Sequence, residues 1–134
     1  MSTAIPAAQP KRMRTVGFIL STLVILFMLM DATMKLLRLP IVLETTAQLG
    51  WPVESAVPLG IVLLVCTALY AFPRTSVLGA ILLTAYLGGA VATHARIGSP
   101  IFSHMLFGVY LGLMLWGGLY LRDERLRALI PLRR

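Results

Sequence analysis

The sequence predicts an all-α integral membrane protein whose four transmembrane helices pack as an up-down bundle. Of its 134 residues, 58% are hydrophobic and 13% are charged, whereas about a quarter of the residues of a typical soluble domain are charged. Four apolar runs are each long enough to cross a bilayer, for which a helix needs roughly 20 residues. The last three runs are joined by short connections, which favour antiparallel neighbours.

The predicted spans are separated by proline and glycine residues. Residues 1–14 are expected to form a mobile basic tail, and residues 122–134 a basic cytoplasmic tail. The apolar run after the first tail is longer than the roughly 7–15 residues of a secretory signal core, so we expect this helix to be retained. The four spans are expected at about residues 15–38, 55–73, 75–95 and 100–121.

The connections between the spans also have characteristic residues. Pro40 disfavours helical geometry in the residue before it, so the first helix should stop there, and residues 40–54 should form the one substantial loop. Thr75 or Ser76 is expected to cap the third span. The Gly-Ser-Pro segment 98–100 indicates the end of that helix and the start of the next.

The basic residues indicate the orientation, because Lys and Arg concentrate in short cytoplasmic loops. With both termini in the cytoplasm, nine basic residues lie inside and three lie outside the inner membrane. This topology, together with contact with anionic lipid headgroups, accounts for the net charge of +7 and gives no support to nucleic-acid binding. The inside set is Lys11, Arg12, Arg14, Arg74, Arg122, Arg125, Arg127, Arg133 and Arg134, and the outside set is Lys35, Arg38 and Arg96.

One ionisable residue of the first span needs a partner. Asp31 lies about 25 Å along a helix that starts near residue 15, which is the outer third of a ~30 Å hydrocarbon core. A carboxylate at that depth requires a cation or water. Lys35 is one turn away on the same helix, and Arg96 lies at the outer end of the third span. We expect Asp31 to lie within salt-bridge or one-water reach of Arg96 and His104, with Lys35 as the alternative partner; a purely structural pair that fixes helix register is equally compatible.

Both histidines of the chain fall in the outer hairpin between the third and fourth spans. Helical periodicity directs Arg96 and His104 into the bundle and leaves the direction of His94 open. Arg96 is also compatible with a headgroup anchor, and the two histidines with interfacial polar residues. The spacing of the histidines matches no recognised zinc or haem signature, so neither a metal nor a haem is predicted. The single cysteine, Cys66, excludes an intramolecular disulfide.

Small residues at four-residue spacing predict where helices approach closely, since helices in lipid associate through close backbone contact. One such set lies in the fourth span and the other in the third. We expect these residues to pack helices within one chain, in preference to forming the seam of a homo-oligomer. The first set is Gly108 and Gly112, and the second is Ala85, Gly89 and Thr93.

Several segments resemble the DoxX-like family of small bacterial membrane proteins. The resemblance covers residues 16–131 and rests on "DATMKLLRLP", "PRTSVLGA", "YLGGAVATHAR" and the "LRD" exit from the last span. It implies a four-helix transmembrane bundle. The family name comes from a membrane subunit of a quinol oxidase and thiosulfate:quinone oxidoreductase system, and relatives are linked to oxidative stress. It implies no catalytic residue here.

Our interpretation is an accessory inner-membrane protein associated with a redox process. Its outer polar pocket, centred on Asp31, Lys35, Arg96 and His104, is expected to bind a small ligand or quinone headgroup, or to dock a membrane redox subunit. One alternative is a small proton-coupled multidrug exporter, which needs a carboxylate near mid-membrane. Another is a structural assembly factor. A stand-alone enzyme is not indicated, because no nucleophile–base pair, metal cluster or phosphate loop is visible.

Overall fold

The computed structural model describes residues 11–130, and within them the chain forms six α-helices and no strand. Short 3-10 turns precede the third and fourth helices, and a π-helical turn, Ile101–Met105, precedes the fifth. The expected tail residues 1–10 and 131–134 lie outside the described residues. The helices are α1 (Lys11–Leu36), α2 (Pro40–Gln48), α3 (Ala56–Ala71), α4 (Ser76–Arg96), α5 (Phe107–Arg122) and α6 (Glu124–Leu129).

Four helical segments are long and apolar enough to cross a membrane, as the sequence predicts. The first begins earlier than expected, because residues 11–14 of the predicted basic tail are already helical. The segments are Lys11–Leu36, Val53–Ala71, Pro73–Arg96 and Ile101–Arg122. The chain is therefore a multi-pass membrane protein, and most of its large exposed side chains are apolar because they face lipid instead of water.

The four spans form a closed ring. α1 packs against α3 and α5, and α4 packs against the same two helices, so α1 and α4 lie diagonally across the bundle without direct packing. We call the end where α1 begins and α5 ends the proximal end, and the opposite end the distal end. Each helix contributes fully buried residues to the shared core, including Val24, Leu63, Leu83 and Leu115.

Glycines allow the closest approaches between helices. A Cβ atom on Gly118 of α5 would stand 2.5 Å from the Ser21 Oγ and 3.0 Å from the Gly17 carbonyl oxygen of α1. Between α1 and α3, a Cβ atom on Gly60 would stand 3.3 Å from the Ala32 carbonyl oxygen. Backbones this close gain van der Waals contact, which is one of the interactions that drive helix association in lipid.

The small residues singled out in the sequence do not all lie at such contacts. Gly108 is buried against α4, where its Cβ atom would stand 3.1 Å from the Leu87 carbonyl oxygen. Gly89 and Gly112 have no heavy atom within 4 Å of the equivalent position, and Ala85 is exposed. In α4 the core-facing residues include Leu83 and Leu87, and Ala85 and Gly89 each lie two positions further along the helix, on a different face.

A buried hydrogen-bond network joins three helices near the proximal end. The fully buried Tyr70 of α3 donates its hydroxyl to the Leu115 carbonyl oxygen of α5 at 2.6 Å, and the Ser21 hydroxyl of α1 lies 2.9 Å from the Tyr70 hydroxyl. Arg122 Nε donates to the Ser21 Oγ at 3.2 Å. A buried hydroxyl without a partner costs several kcal/mol in hydrocarbon, so this network favours one arrangement of the three helices.

The connection between the first two spans differs from the expected loop. Residues 40–48 form α2, with Pro40 in its first turn. A proline ends one helix and also suits the start of the next. Its fixed φ is helical, and the N–H that it lacks would have no acceptor within the first turn. Arg38 reverses the chain between the two helices with a φ of 54°.

Thr75 is the N-cap residue of α4, as expected, but its side chain makes no capping hydrogen bond. The Thr75 hydroxyl donates to the Leu69 carbonyl oxygen at 2.6 Å, and the Ser76 hydroxyl donates to the Tyr70 carbonyl oxygen at 2.8 Å. These hydroxyls therefore satisfy the last carbonyl groups of α3 instead of the first N–H groups of α4, which a tight hairpin brings within reach.

The C-terminal segment does have a side-chain cap. Asp123 Oδ1 accepts hydrogen bonds from the backbone N–H groups of Arg125 and Leu126 at 2.9 and 3.4 Å, which starts α6. The Leu126 side chain is buried against the bundle, and Arg127 donates to the Tyr120 carbonyl oxygen at 2.6 Å. The basic segment after the last span is thus attached to the proximal end of the bundle.

Substituting Gly118→Ala is expected to destabilise the protein, because the new methyl group meets Ser21 and the α1 backbone. Overpacking of this kind costs about 1–3 kcal/mol. Gly112→Ala on the same helix is the matched control, and it should be neutral or stabilise by about 0.5 kcal/mol through helix propensity. Unfolding in mixed detergent micelles measures both, and equal effects would contradict the close α1–α5 contact.

Tyr70→Phe removes the hydroxyl that joins three helices, while it leaves the ring in place. We expect a loss of about 1–2 kcal/mol in the free energy of unfolding, the range for a buried hydrogen-bonded group. Tyr120→Phe is the control, because the Tyr120 hydroxyl makes no hydrogen bond to residues 11–130. A Tyr70→Phe protein as stable as the Tyr120→Phe protein would show that the network does not stabilise the bundle.

Candidate functional site

An ion pair lies within the membrane-spanning part of α1. Lys35 Nζ is 2.6 Å from Asp31 Oδ1, and the side chains are 18% and 33% exposed. The pair forms because residues four positions apart lie one above the other on a helix. Among residues 11–130 it is the one Lys or Arg to carboxylate contact within 4.0 Å. The alternative partner weighed from the sequence, Lys35, is thus the one that contacts Asp31.

The ion pair borders the contact between α1 and α3 and acts across the bundle on α4. A Cβ atom on Gly60 of α3 would stand 3.0 Å from the Lys35 Cβ. Tyr86 of α4 is partly buried against the core, and the Asp31 carboxylate lies within electrostatic range of its phenol. Tyr86 lies near the middle of α4, and the backbones of α1 and α4 do not pack against each other. We call Asp31, Lys35 and Tyr86 the distal polar site.

The distal polar site has hydrogen-bond donors for which residues 11–130 supply no acceptor. An ammonium group has three N–H donors, and Lys35 donates one of them to Asp31. The Tyr86 hydroxyl has no hydrogen-bond partner within the described part of the chain. Donors of this kind, at the depth of an apolar span, can bind an acceptor group that enters from the bilayer.

Arg96 lies at the distal end in a different role from the expected one. Its Nη2 donates to the Leu49 carbonyl oxygen at 3.0 Å, and a Cβ atom on Gly50 would stand 2.5 Å from the same nitrogen. Gly50 has a φ of 84°, so a side chain here is excluded by conformation as well as by space. Arg96 therefore fastens the segment after α2 to the end of α4, as does the Trp51 Nε1, 3.4 Å from the Thr93 Oγ1.

The two histidines come together in the distal hairpin. The ring centroids of His94 and His104 are 6.1 Å apart, with an angle of 57° between the planes. His94 Nδ1 is 3.0 Å from the Ser99 Oγ, and His104 Nδ1 is 2.8 Å from the Ser103 Oγ. His94 is partly buried, whereas His104 is exposed. No group of three or more His, Cys, Asp or Glu side chains within residues 11–130 is arranged to hold a metal ion.

Two open surface grooves lie in the proximal half, away from these polar residues. One, of about 340 Å³, runs along residues 15–23 of α1, and the other, of about 540 Å³, follows residues 69–75 at the α3–α4 turn. Their linings are mostly apolar, which suits contact with lipid chains.

Sequence reasoning overlooked Tyr86 and the Tyr70 network. The helical period contains a signal for Tyr86, because it lies three residues after Leu83 and one before Leu87, both buried. In the Tyr70 network, Tyr70 is 49 positions from Ser21 and 45 positions from Leu115 in the sequence. No local sequence pattern connects residues so far apart.

Comparison with known protein families gives a match. The model of the DoxX-like family matches residues 19–118, which extend from α1 to α5. No curated protein and no solved structure matches the chain. The match covers well over half of the chain and includes parts of all four spans and the distal polar site. The chain therefore belongs to the DoxX-like family.

Proposed function

We propose that this DoxX-like protein binds a quinone headgroup at the distal polar site and serves as an accessory subunit of a membrane redox process. The observation that carries the proposal is the Asp31–Lys35 ion pair, which lies toward the distal end of an apolar helix and leaves donors on Lys35 without an acceptor among residues 11–130. Polar groups at such a depth are costly, and they are typical of functional sites.

The chemistry of the site suits a quinone. The two carbonyl oxygens of a quinone accept hydrogen bonds, and its apolar tail stays in the bilayer. The Lys35 ammonium and the Tyr86 hydroxyl offer donors from two helices that do not pack on each other. The Asp31 carboxylate accepts a hydrogen bond from the Lys35 ammonium and so orients it. The quinone-linked systems after which the family is named support this choice of ligand.

The ion pair weakens the alternative of a proton-coupled exporter. An exporter of cations needs a carboxylate that binds protons and substrate in turn. Here the Asp31 carboxylate is already bound by a lysine on its own helix. A positively charged substrate would meet the Lys35 ammonium at the same position.

We also infer that the protein lies in the inner membrane with both ends of the chain in the cytoplasm. The basic residues support this, since seven of the ten within residues 11–130 fall in segments at the proximal end. Arg122 at the end of α5 donates to Ser21 of α1, and Arg127 of α6 donates to the Tyr120 carbonyl oxygen, so both lie at that end.

Thiol labelling in whole cells tests this orientation. In a Cys66→Ala background, Glu44→Cys places an exposed thiol in α2 at the distal end, and Arg125→Cys places one in α6 at the proximal end. A membrane-impermeant maleimide should label the first thiol in intact cells and the second only after the cells are broken. The reverse pattern would contradict cytoplasmic termini.

Quinone binding is tested with a short-chain ubiquinone added to the protein in nanodiscs. Lys35→Met should weaken binding about 10–100-fold, the factor for losing a charged hydrogen-bond donor, and Tyr86→Phe should weaken it less. Arg38→Met is the control, because Arg38 is exposed and contacts no acidic group within residues 11–130. Wild-type protein that does not bind the probe, or equal binding by the Lys35→Met and Arg38→Met proteins, would refute the quinone site.

A further inference from the structure

The distal hairpin has an unusual backbone that brings two imidazole rings together. α4 ends at Arg96, and Gly98, with a φ of 72°, reverses the chain. The next turn is π-helical: the backbone N–H of Met105 bonds to the Pro100 carbonyl oxygen five residues earlier, at 3.0 Å. Isolated π-helical turns are rare in proteins. Those that occur are often found at functional sites. This wide turn contains His104 and presents it to His94 at the end of α4.

Each ring is held by a serine through the same type of nitrogen. His94 Nδ1 lies beside the Ser99 hydroxyl, and His104 Nδ1 beside the Ser103 hydroxyl. Neither Nε2 atom has a hydrogen-bond partner within residues 11–130. In the tautomer in which each Nδ1–H donates to its serine, each Nε2 carries the lone pair that binds a metal. Metal-binding histidines almost always have such a partner on the other ring nitrogen.

The separation of the rings allows one ion to bind both when their Nε2 atoms face each other. A metal ion about 2.0–2.1 Å from Nε2 is roughly 3.2 Å from the ring centroid, so two imidazoles on one ion have centroids about 5.2 Å apart in tetrahedral geometry and about 6.4 Å apart in linear geometry. The observed separation of 6.1 Å falls within this range.

From this geometry we propose that His94 and His104 bind one divalent transition-metal ion through their Nε2 atoms. Imidazole nitrogen prefers Cu²⁺ and Zn²⁺, with Cu²⁺ the tighter of the two. The exposed side of His104 leaves room for water to complete the coordination, since the protein supplies two ligands. This site lies in the hairpin and is separate from the distal polar site on α1 and α4.

The chain has few competing ligands, which makes the site easy to test. These are its only two histidines, and its single cysteine, Cys66, is buried in α3. The experiment uses the full chain without a histidine tag, in nanodiscs, titrated with Cu²⁺ and examined by electron paramagnetic resonance, in which nitrogen hyperfine lines count the imidazoles bound. We expect one equivalent of Cu²⁺ with two nitrogens in the wild type, and competition by Zn²⁺.

Variants separate a shared site from two independent histidines. His94→Gln and His104→Gln should each leave one nitrogen on copper. Loss of a ligand's hydrogen-bond partner weakens metal binding ~10–100-fold, and loss of the ligand itself should weaken copper binding by more than that. Ser99→Ala should weaken binding about 10-fold and keep both nitrogens. Circular dichroism checks that each variant keeps its helices. A single nitrogen in the wild type, two equivalents of copper, or unchanged affinity in either single histidine variant would overturn the proposal.

Discussion

The close approach of α1 and α5 at Gly17 and Gly118 is the contact on which the rest of the bundle depends. It joins the first span to the last and so closes the ring of four helices. It also brings the Ser21 hydroxyl within reach of Tyr70, so that one buried tyrosine binds to both α1 and α5. In lipid, where apolar surface gains little by contact with other apolar surface, backbone contact and hydrogen bonds determine which helices associate.

The two ends of the bundle use polar groups in different ways. At the proximal end, Ser21, Tyr70 and Arg122 satisfy one another, and the Arg122 guanidinium also lies 5.4 Å from the centre of the Phe18 ring. Toward the distal end Lys35, and near the middle of α4 Tyr86, keep donors that no described residue accepts. Closed networks stabilise a fold, whereas unused donors in an apolar surrounding are available to a ligand. This difference is why we place the candidate site at the distal end.

Properties of single segments could be predicted from the sequence, and relations between segments could not. Length and composition are sufficient to locate the four spans. Spacing alone did not distinguish Gly108, which lies against α4, from Gly89 and Gly112, which have open space at the Cβ position, because every face of a membrane helix is apolar. The partner of Asp31 stayed open for a similar reason: Lys35 and Arg96 both satisfy the charge requirement, and only the packing of the helices decides between them. The helix at residues 40–48 was not predicted, because a proline can follow the end of one helix or stand in the first turn of the next.

The placement of both charges of the ion pair on α1 affects how the protein is made. A lone carboxylate at that depth would be costly in hydrocarbon until a cation from a later span paired with it. Asp31 meets Lys35 as soon as one turn of helix forms, so α1 carries no net charge from this pair when it leaves the translocation machinery. The first span can therefore enter the bilayer before α3, α4 and α5 have been synthesised. Helix association, with its glycine contacts and tyrosine network, then follows as a second stage.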